Sequence, residues 1–345
     1  MGQRQIRLII LFSWPCTQGF NVLKSFFVQQ LLQSVKAVVI DLAFCSICRV
    51  KKFTILFLAL LFGKRMHAQE VKSSSANQTP TSKSLFNPEH KRNFSRKGDF
   101  YFHWGYNSSW YGKSDIRFQG PNYDFTLKDV VAHDRQSKLS WEYLNPGLIT
   151  VPQYNIRLGY FIKDNYSISI GWDHMKYVMD IPQTVAITGH IGANISHENA
   201  PTGALAGDYN GQSINVKESM LTYEHTDGFN YANIEVERYD DIWVAPGGKT
   251  SLTLETGLGG GMMVPRSDVR LFGQGRNNHF SISGYGVSAK VGLKFYIWKN
   301  FYVQNTTKFG ATNLTNVHTT GWDEFDKASQ KINYIENIWL IGVQF

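Results

Sequence analysis

The stretch YNIRLGYFIKDNYSISIGWD, residues Tyr154–Asp173, decides the fold. Tyr154, Ile156, Leu158 and Tyr160 alternate with Asn155, Arg157 and Gly159. After the polar turn Lys163-Asp164-Asn165, Tyr166, Ile168, Ile170 and Trp172 alternate with Ser167, Ser169, Gly171 and Asp173. Successive side chains of a strand point to opposite faces, so a period of two marks strands with one apolar and one polar face. Two such runs joined by a tight polar turn make a hairpin.

The alternation extends outward in both directions. Phe100, Phe102, Trp104 and Tyr106 oppose Tyr101, His103, Gly105 and Asn107. Leu252, Leu254 and Leu258 oppose Thr253, Glu255, Gly257 and Gly259. Val287, Ala289, Val291, Leu293 and Phe295 oppose Ser288, Lys290, Gly292 and Lys294. Ile335, Trp339, Ile341, Val343 and Phe345 oppose Glu336, Gly342 and Gln344. Strands are expected near 99–111, 153–162, 166–178, 221–243, 250–263, 280–298, 300–312 and 330–345. The connections at 163–165, 246–249 and 299–300 are tight; those at 112–152, 179–220, 264–279 and 313–329 are long. With the first strand running outward, every tight turn falls on one side and every long loop on the other. Outer-membrane barrels have that parity, with short periplasmic turns and long outer loops. The expectation is an all-β, closed antiparallel transmembrane β-barrel of eight strands with both termini periplasmic. A ten-strand alternative splits 221–243 at Asp227-Gly228 and puts tight turns on both sides. Two places fit poorly. Leu221 and Tyr223 are out of phase with Ala232, Ile234 and Val236, which calls for a bulge. Asn305, Thr307 and Arg238 fall on the apolar face, where a mid-membrane charge costs up to ~2–4 kcal/mol.

A soluble barrel hides its apolar face and a membrane barrel exposes it, so alternation alone does not separate them. The polar face does. It carries Arg157, Asp173, Glu235, Glu237, Glu255, Lys290, Lys294, Lys308 and Glu336, five acids and four bases able to pair inside a closed lumen. Aromatic residues gather near strand ends, as an interfacial girdle requires. Eight strands leave a lumen that side chains just fill, which argues against a wide pore.

The chain resembles the small outer-membrane β-barrel proteins of Gram-negative bacteria, especially those of the Bacteroidetes group, over residues 98–345. The resemblance rests on a signal-like segment, a cysteine-free barrel region and the terminal run Trp339-Leu340-Ile341-Gly342-Val343-Gln344-Phe345. It implies an outer-membrane location, contact with outer-membrane lipids and lipopolysaccharide, and recognition of Trp339 to Phe345 by the barrel-assembly machinery.

The formal charge of +8 belongs to the N-terminal stretch: residues 1–69 carry nine Lys and Arg and one acid, Asp41. Residues 70–345 carry 26 basic and 26 acidic side chains, so the barrel region offers no basic surface for nucleic acid. Cys16, Cys45 and Cys48 also lie there, and Cys45-Ser-Ile-Cys48 lacks the second ligand pair or βαβ setting that zinc or redox chemistry needs. Val50-Lys51-Lys52, the apolar run Phe53–Phe62 and Ala68 before Gln69 describe a signal peptide at 50–68. Residues 1–49 are then expected to be an upstream extension from a mis-assigned start. Residues 69–97, rich in Ser, Thr, Asn and Lys, read as a flexible linker.

The leading expectation for function is a non-catalytic structural or surface-interaction role through the loops 112–152 and 179–220, since recognition concentrates on loops carried by rigid scaffolds. A deacylase-like hydrolase acting on lipid A is the alternative, and His279 with Ser281 is the candidate pair, similar to the H-x-S pair of small-barrel lipid A deacylases. That pair needs an acid; Asp323 and Glu324 are distant in sequence, and Glu255 is expected in the lumen. A narrow pore is a second alternative. Glu224, His225 and Asp227 form a candidate metal or acid–base cluster if the chain bulges there. Asp173 and His174, adjacent on a strand, face opposite ways. Gly257–Gly261 precedes no helix and reads as strand packing, not a phosphate loop. No cofactor is expected.

Overall fold

The computed structural model describes residues 84–137, 153–195, 200–275, 279–320 and 326–345. The expected extension at 1–49, the signal peptide at 50–68 and the first part of the linker lie outside the described residues. The strands are β1 (Phe100–Tyr111), β2 (Ser114–Gly120), β3 (Tyr123–Val130), β4 (Ala132–His133), β5 (Tyr154–Lys163), β6 (Tyr166–Met179), β7 (Gln183–Ile191), β8 (Gly207–Val216), β9 (Leu221–Val244), β10 (Ser251–Met263), β11 (Arg266–Leu271), β12 (His279–Phe280), β13 (Gly284–Trp298), β14 (Phe301–His318) and β15 (Lys327–Gln344).

Eight of them, β1-β5-β6-β9-β10-β13-β14-β15, pair antiparallel in that order. The ring closes through β1 and β15, in register from Tyr101 opposite Gln344 to Tyr111 opposite Tyr334. Strand β9 runs unbroken through Asp227-Gly228, so the eight-strand reading holds and the ten-strand one does not. All three tight turns lie at one end, here the base, together with Phe345 and the segment entering β1.

Outside, Ile168, Ile170, Ile234, Val236, Leu258, Val287, Leu293, Trp339 and Ile341 are exposed; inside, Arg157, Glu235, Glu237, Lys290 and Lys308 are buried. From Tyr285 to Phe295 the outward face of β13 climbs about 25 Å at ~3.3 Å per residue and a tilt of about 40°, the height of the apolar band of an outer-membrane barrel. An apolar belt around a closed, charged interior is the arrangement that a bilayer, and not water, rewards. The polar residues on this face satisfy one another. Asn305 Nδ2 donates to Asn337 Oδ1 at 3.1 Å, and Asn337 Nδ2 donates to Thr307 Oγ1 at 3.2 Å. Arg238, near the base, grips Asp240 through two hydrogen bonds at 2.7 and 3.0 Å and lies over the Tyr166 ring.

Above the belt the polarity inverts. The segments expected to be loops contain β2, β3, β7 and β8, which extend the sheet from β15 as a head. The inner face of the head is apolar, built from Phe118, Phe125, Leu127, Tyr177, Ile187, Leu221, Tyr223 and Leu271. Its outer face carries ion pairs such as Arg117–Asp124 and Lys128–Asp115. This explains the phase conflict in β9. A bulge is present: β9 passes from Phe229 to His225 while β6 passes from Met175 to Tyr177. The excess is even, so facing is unchanged, and Leu221, Tyr223, Tyr231 and Glu235 all point inward. What changes is the surroundings. Within the belt the outer face meets lipid and must be apolar; above it the outer face meets water, and the apolar residues move inside.

Residues 84–97 are the end of the segment read as a linker. They form a strap across the base. Leu85 and Phe86 N–H groups donate to Asp241 and Ile242 carbonyls, each at 3.0 Å, and so cover the edge of β9 below Arg238. Arg92 and Arg96 are fully buried. Arg92 donates to Asp241 at 2.7 Å and to Asp164 at 2.8 Å; Arg96 donates to Asp241 at 2.5 Å and to Thr253 Oγ1 at 2.9 Å. The Arg96 guanidinium also lies over the rings of Tyr296, Tyr239 and Phe161. Burial opposes ionisation of both carboxyls, yet the two guanidiniums hold Asp241 and Asp164 below the usual carboxylate range.

Lumenal tyrosines lie flat on glycines of neighbouring strands. A Cβ on Gly159 would sit 2.1 Å from the Tyr101 ring, and one on Gly342 would sit 2.2 Å from the Tyr302 ring. Gly159→Ala is therefore expected to destabilise the barrel by ~1–3 kcal/mol through forced overpacking, read as a lower urea midpoint for unfolding from vesicles. For the strap, trypsin should leave Arg92 and Arg96 uncut in the native chain and cleave there in Asp164→Asn/Asp241→Asn. Because the folded carboxyls titrate low, their stabilisation is complete above about pH 5 and fades as the pH falls through ~4 and below. The protection factors of the Leu85 and Phe86 amides should fall on that descent; pH-independent protection factors would contradict the ionic clamp.

Candidate functional site

The lumen gathers the ionisable groups that the strand pattern places on the polar face. Each inward residue of one strand neighbours inward residues of the next, so the charges stack in layers. Glu235 sits at the centre: Lys290 is 2.7 Å away, Lys308 2.8 Å and Arg157 2.9 Å. Lys290 also reaches Glu255 at 3.2 Å and Glu237 at 3.3 Å, and Lys308 pairs with Asp173. Hydroxyls fill the remaining lone pairs: Glu237 accepts from Ser167 at 2.6 Å and Tyr101 at 3.1 Å, and Glu255 from Tyr239 at 2.9 Å. Buried charges are tolerated only when paired and hydrogen-bonded in this way.

Two members stand apart. Lys294 has no carboxylate within ion-pair distance among the described residues; its amine lies 4.3, 4.4 and 4.8 Å from the ring centres of Tyr302, Tyr239 and Tyr101. Glu336 accepts one hydrogen bond, from Asn155 Nδ2 at 2.9 Å, and its second oxygen has no partner. The cavity between His103, Asp173, Lys290 and Lys308 measures about 10 Å³, room for roughly one water. The lumen is packed shut at this level, against the narrow-pore alternative.

The other candidates do not converge. Glu224 faces outward beside Arg135 at 3.5 Å, and Asp227 lies 3.7 Å from Arg266. His225 points into the head, where its Nδ1 meets Ser267 Oγ at 2.8 Å. Burial pushes His225 down to about 3, so the imidazole is neutral at physiological pH. The bulge at Gly228 thus leaves these three groups apart, and no cluster of three metal-ligating side chains occurs among the described residues. His279 pairs by backbone with Ser267, and Ser281 Oγ bonds Ser283 Oγ at 2.9 Å. Glu255 is deep in the lumen beside Lys290 and does not serve that pair. Asp173 faces the lumen, whereas His174 stacks on Tyr154 and bonds Asn230 at 2.7 Å. Gly257 and Gly259 lie under the Lys290 and Glu235 side chains, the packing role expected of them.

The strap arginines and the tyrosine cage were not among the sequence candidates. Asp164 and Asp241, two carboxylates at the base, were the signal for the arginines. Tyr101 stood in phase with His103 on the polar face, and that phase was the signal for the cage.

The chain is similar in architecture to solved outer-membrane proteins. The outer membrane protein OprG from Pseudomonas aeruginosa aligns at 8% identity and a TM-score of 0.34, over 73% of this chain and 97% of that one. Ail, the attachment invasion locus protein of Yersinia pestis, aligns at 11% identity and 0.28, over 72% and 99%. Neisserial surface protein A aligns at 10% identity and 0.29, over 72% and 100%. No family model and no curated protein matches the chain. The assignment to the class of closed eight-stranded outer-membrane barrels rests on strand pairing and on the apolar belt.

Removing one partner from the lumenal network leaves a buried charge uncompensated. Lys308→Met is expected to cost ~3–5 kcal/mol of stability, whereas Lys294→Met, which strands no carboxylate, should cost ~1 kcal/mol or less. Equal losses in urea unfolding would refute the distinction.

Proposed function

We propose that this chain is a non-catalytic outer-membrane barrel that holds a surface-interaction head outside a Gram-negative cell. The observation that carries the reading is continuity: β6, β9, β14 and β15 run from the belt into the apolar-cored head without a break. A packed lumen has little to conduct, and a head on four unbroken strands is a rigid platform for recognition. On this reading the base and both termini of the barrel face the periplasm. Residues 50–68 direct export, and Trp339 to Phe345 engage the assembly machinery, with the Ile341 and Val343 side chains on the outer face. A Bacteroidetes-group source belongs to the same proposal and rests on the residue resemblance alone. The head would meet lipopolysaccharide sugars at its foot and its partner at its crown.

The test is fractionation of cells expressing the full chain, with heat-modifiable migration on gels, and planar-bilayer recording of the purified protein. Outer-membrane recovery, a heat shift and silent bilayers are expected. Lipid A mass should be unchanged by the protein and by His279→Ala. Recovery from the soluble periplasm, steady conductance, or a lipid A mass change abolished in His279→Ala would each overturn the proposal.

A further inference from the structure

Five exposed lysines ring the base: Lys91 and Lys97 on the strap, and Lys163, Lys249 and Lys299 in the three tight turns. None of the five amines has an ion pair or hydrogen bond among the described residues. The base carboxylates are mostly engaged elsewhere. Asp164 and Asp241 hold Arg92 and Arg96, and Asp240 holds Arg238. That leaves Glu89 and Asp99, and Asp99 accepts from Gln344 Nε2 at 3.0 Å. The head is different: residues 112–137, 176–227, 264–283 and 313–333 carry, where described, ten Lys and Arg against eleven Asp and Glu. There Arg117, Arg135, Arg266 and Arg270 all have carboxylate partners.

The lysines also sit at a defined height. Lys163 follows Ile162 and Lys299 follows Trp298, the last outward apolar residues of their strands, 48% and 63% exposed. Trp243, Phe345, Leu85 and Phe86 add exposed apolar surface at the same rim. Aromatic side chains seek the boundary between hydrocarbon and headgroups, and lysine stems extend from that boundary towards anionic groups. An unpaired cationic collar directly below an aromatic rim fits one kind of partner. We propose that the base binds the headgroups of anionic phospholipids in the leaflet it faces, with these five lysines as phosphate contacts. The strap brings two of the five into the collar, so its ionic clamp also completes the lipid site. The assignment to the phospholipid leaflet rests on the base facing the periplasm.

The test uses the full chain in phosphatidylcholine vesicles containing one-third phosphatidylglycerol. Quenching of tryptophan fluorescence by brominated phosphatidylglycerol is compared with quenching by brominated phosphatidylcholine. The native chain should prefer the anionic lipid several-fold (roughly, at low salt), and the preference should fall as salt is raised. Lys91→Gln/Lys97→Gln/Lys163→Gln/Lys249→Gln/Lys299→Gln should show parity, while Lys113→Gln/Lys217→Gln/Lys331→Gln, in the head, should keep the preference. Equal quenching in the native chain, or a preference that survives in the five-lysine variant, overturns the collar. A second arm checks the leaflet. An impermeant maleimide should label Lys299→Cys only after cells are permeabilised, against a cysteine-free barrel background; labelling in intact cells overturns the leaflet assignment even where vesicles show the preference.

Discussion

Inside a bilayer no water is at hand for a backbone N–H or C=O, so each must find its partner within the protein. For strands the solution is closure, and here closure is the pairing of β1 with β15 along nearly the whole of β1. The rest follows from it. Eight strands closed on themselves leave a lumen too narrow for bulk water, so inward side chains must satisfy one another. Glu235 does so with three cations, and glycines such as Gly159 make room for the tyrosines that fill the remaining space. Within the belt the exterior is free to be apolar because the charges lie in the interior, the Arg238–Asp240 pair at the rim aside.

The eight ring strands were legible because each crosses two environments of opposite polarity, which writes a period of two into the sequence. Turn parity supplied the count, independent of hydrophobicity. The head strands were harder to read. In β8, Asp208, Asn210, Gln212 and Ser213 are exposed and the apolar signal shrinks to Tyr209, Ile214 and Val216, so composition resembles a loop. The apparent defect at Leu221 and Tyr223 was a true signal read with the wrong boundary condition. It marks where β9 leaves the belt.

The candidate site divides in the same way. Lumenal charges were legible because strand phase places them and electroneutrality demands that they pair. Which base meets which acid depends on stagger around the ring, which no single strand records. The strap was hidden for another reason. Arg92 and Arg96 lie among Ser, Asn and Lys with no periodicity, and their burial is imposed by Asp164 and Asp241, some 70 and 150 residues downstream. The acid–histidine motifs around residue 225 and at 173–174 are local in sequence, and strand geometry sends their side chains to opposite faces.

The unbroken passage of β6, β9, β14 and β15 from belt to head has a mechanical consequence. Load applied at the crown runs along backbone ladders that end in the membrane wall, so it acts as shear on many hydrogen bonds at once and not as peeling at a hinge. The head therefore keeps a fixed stand-off and tilt relative to the membrane plane. On the proposed reading, whatever the head grips is held at a set distance from the cell, and rotational search belongs to the whole barrel turning in the lipid.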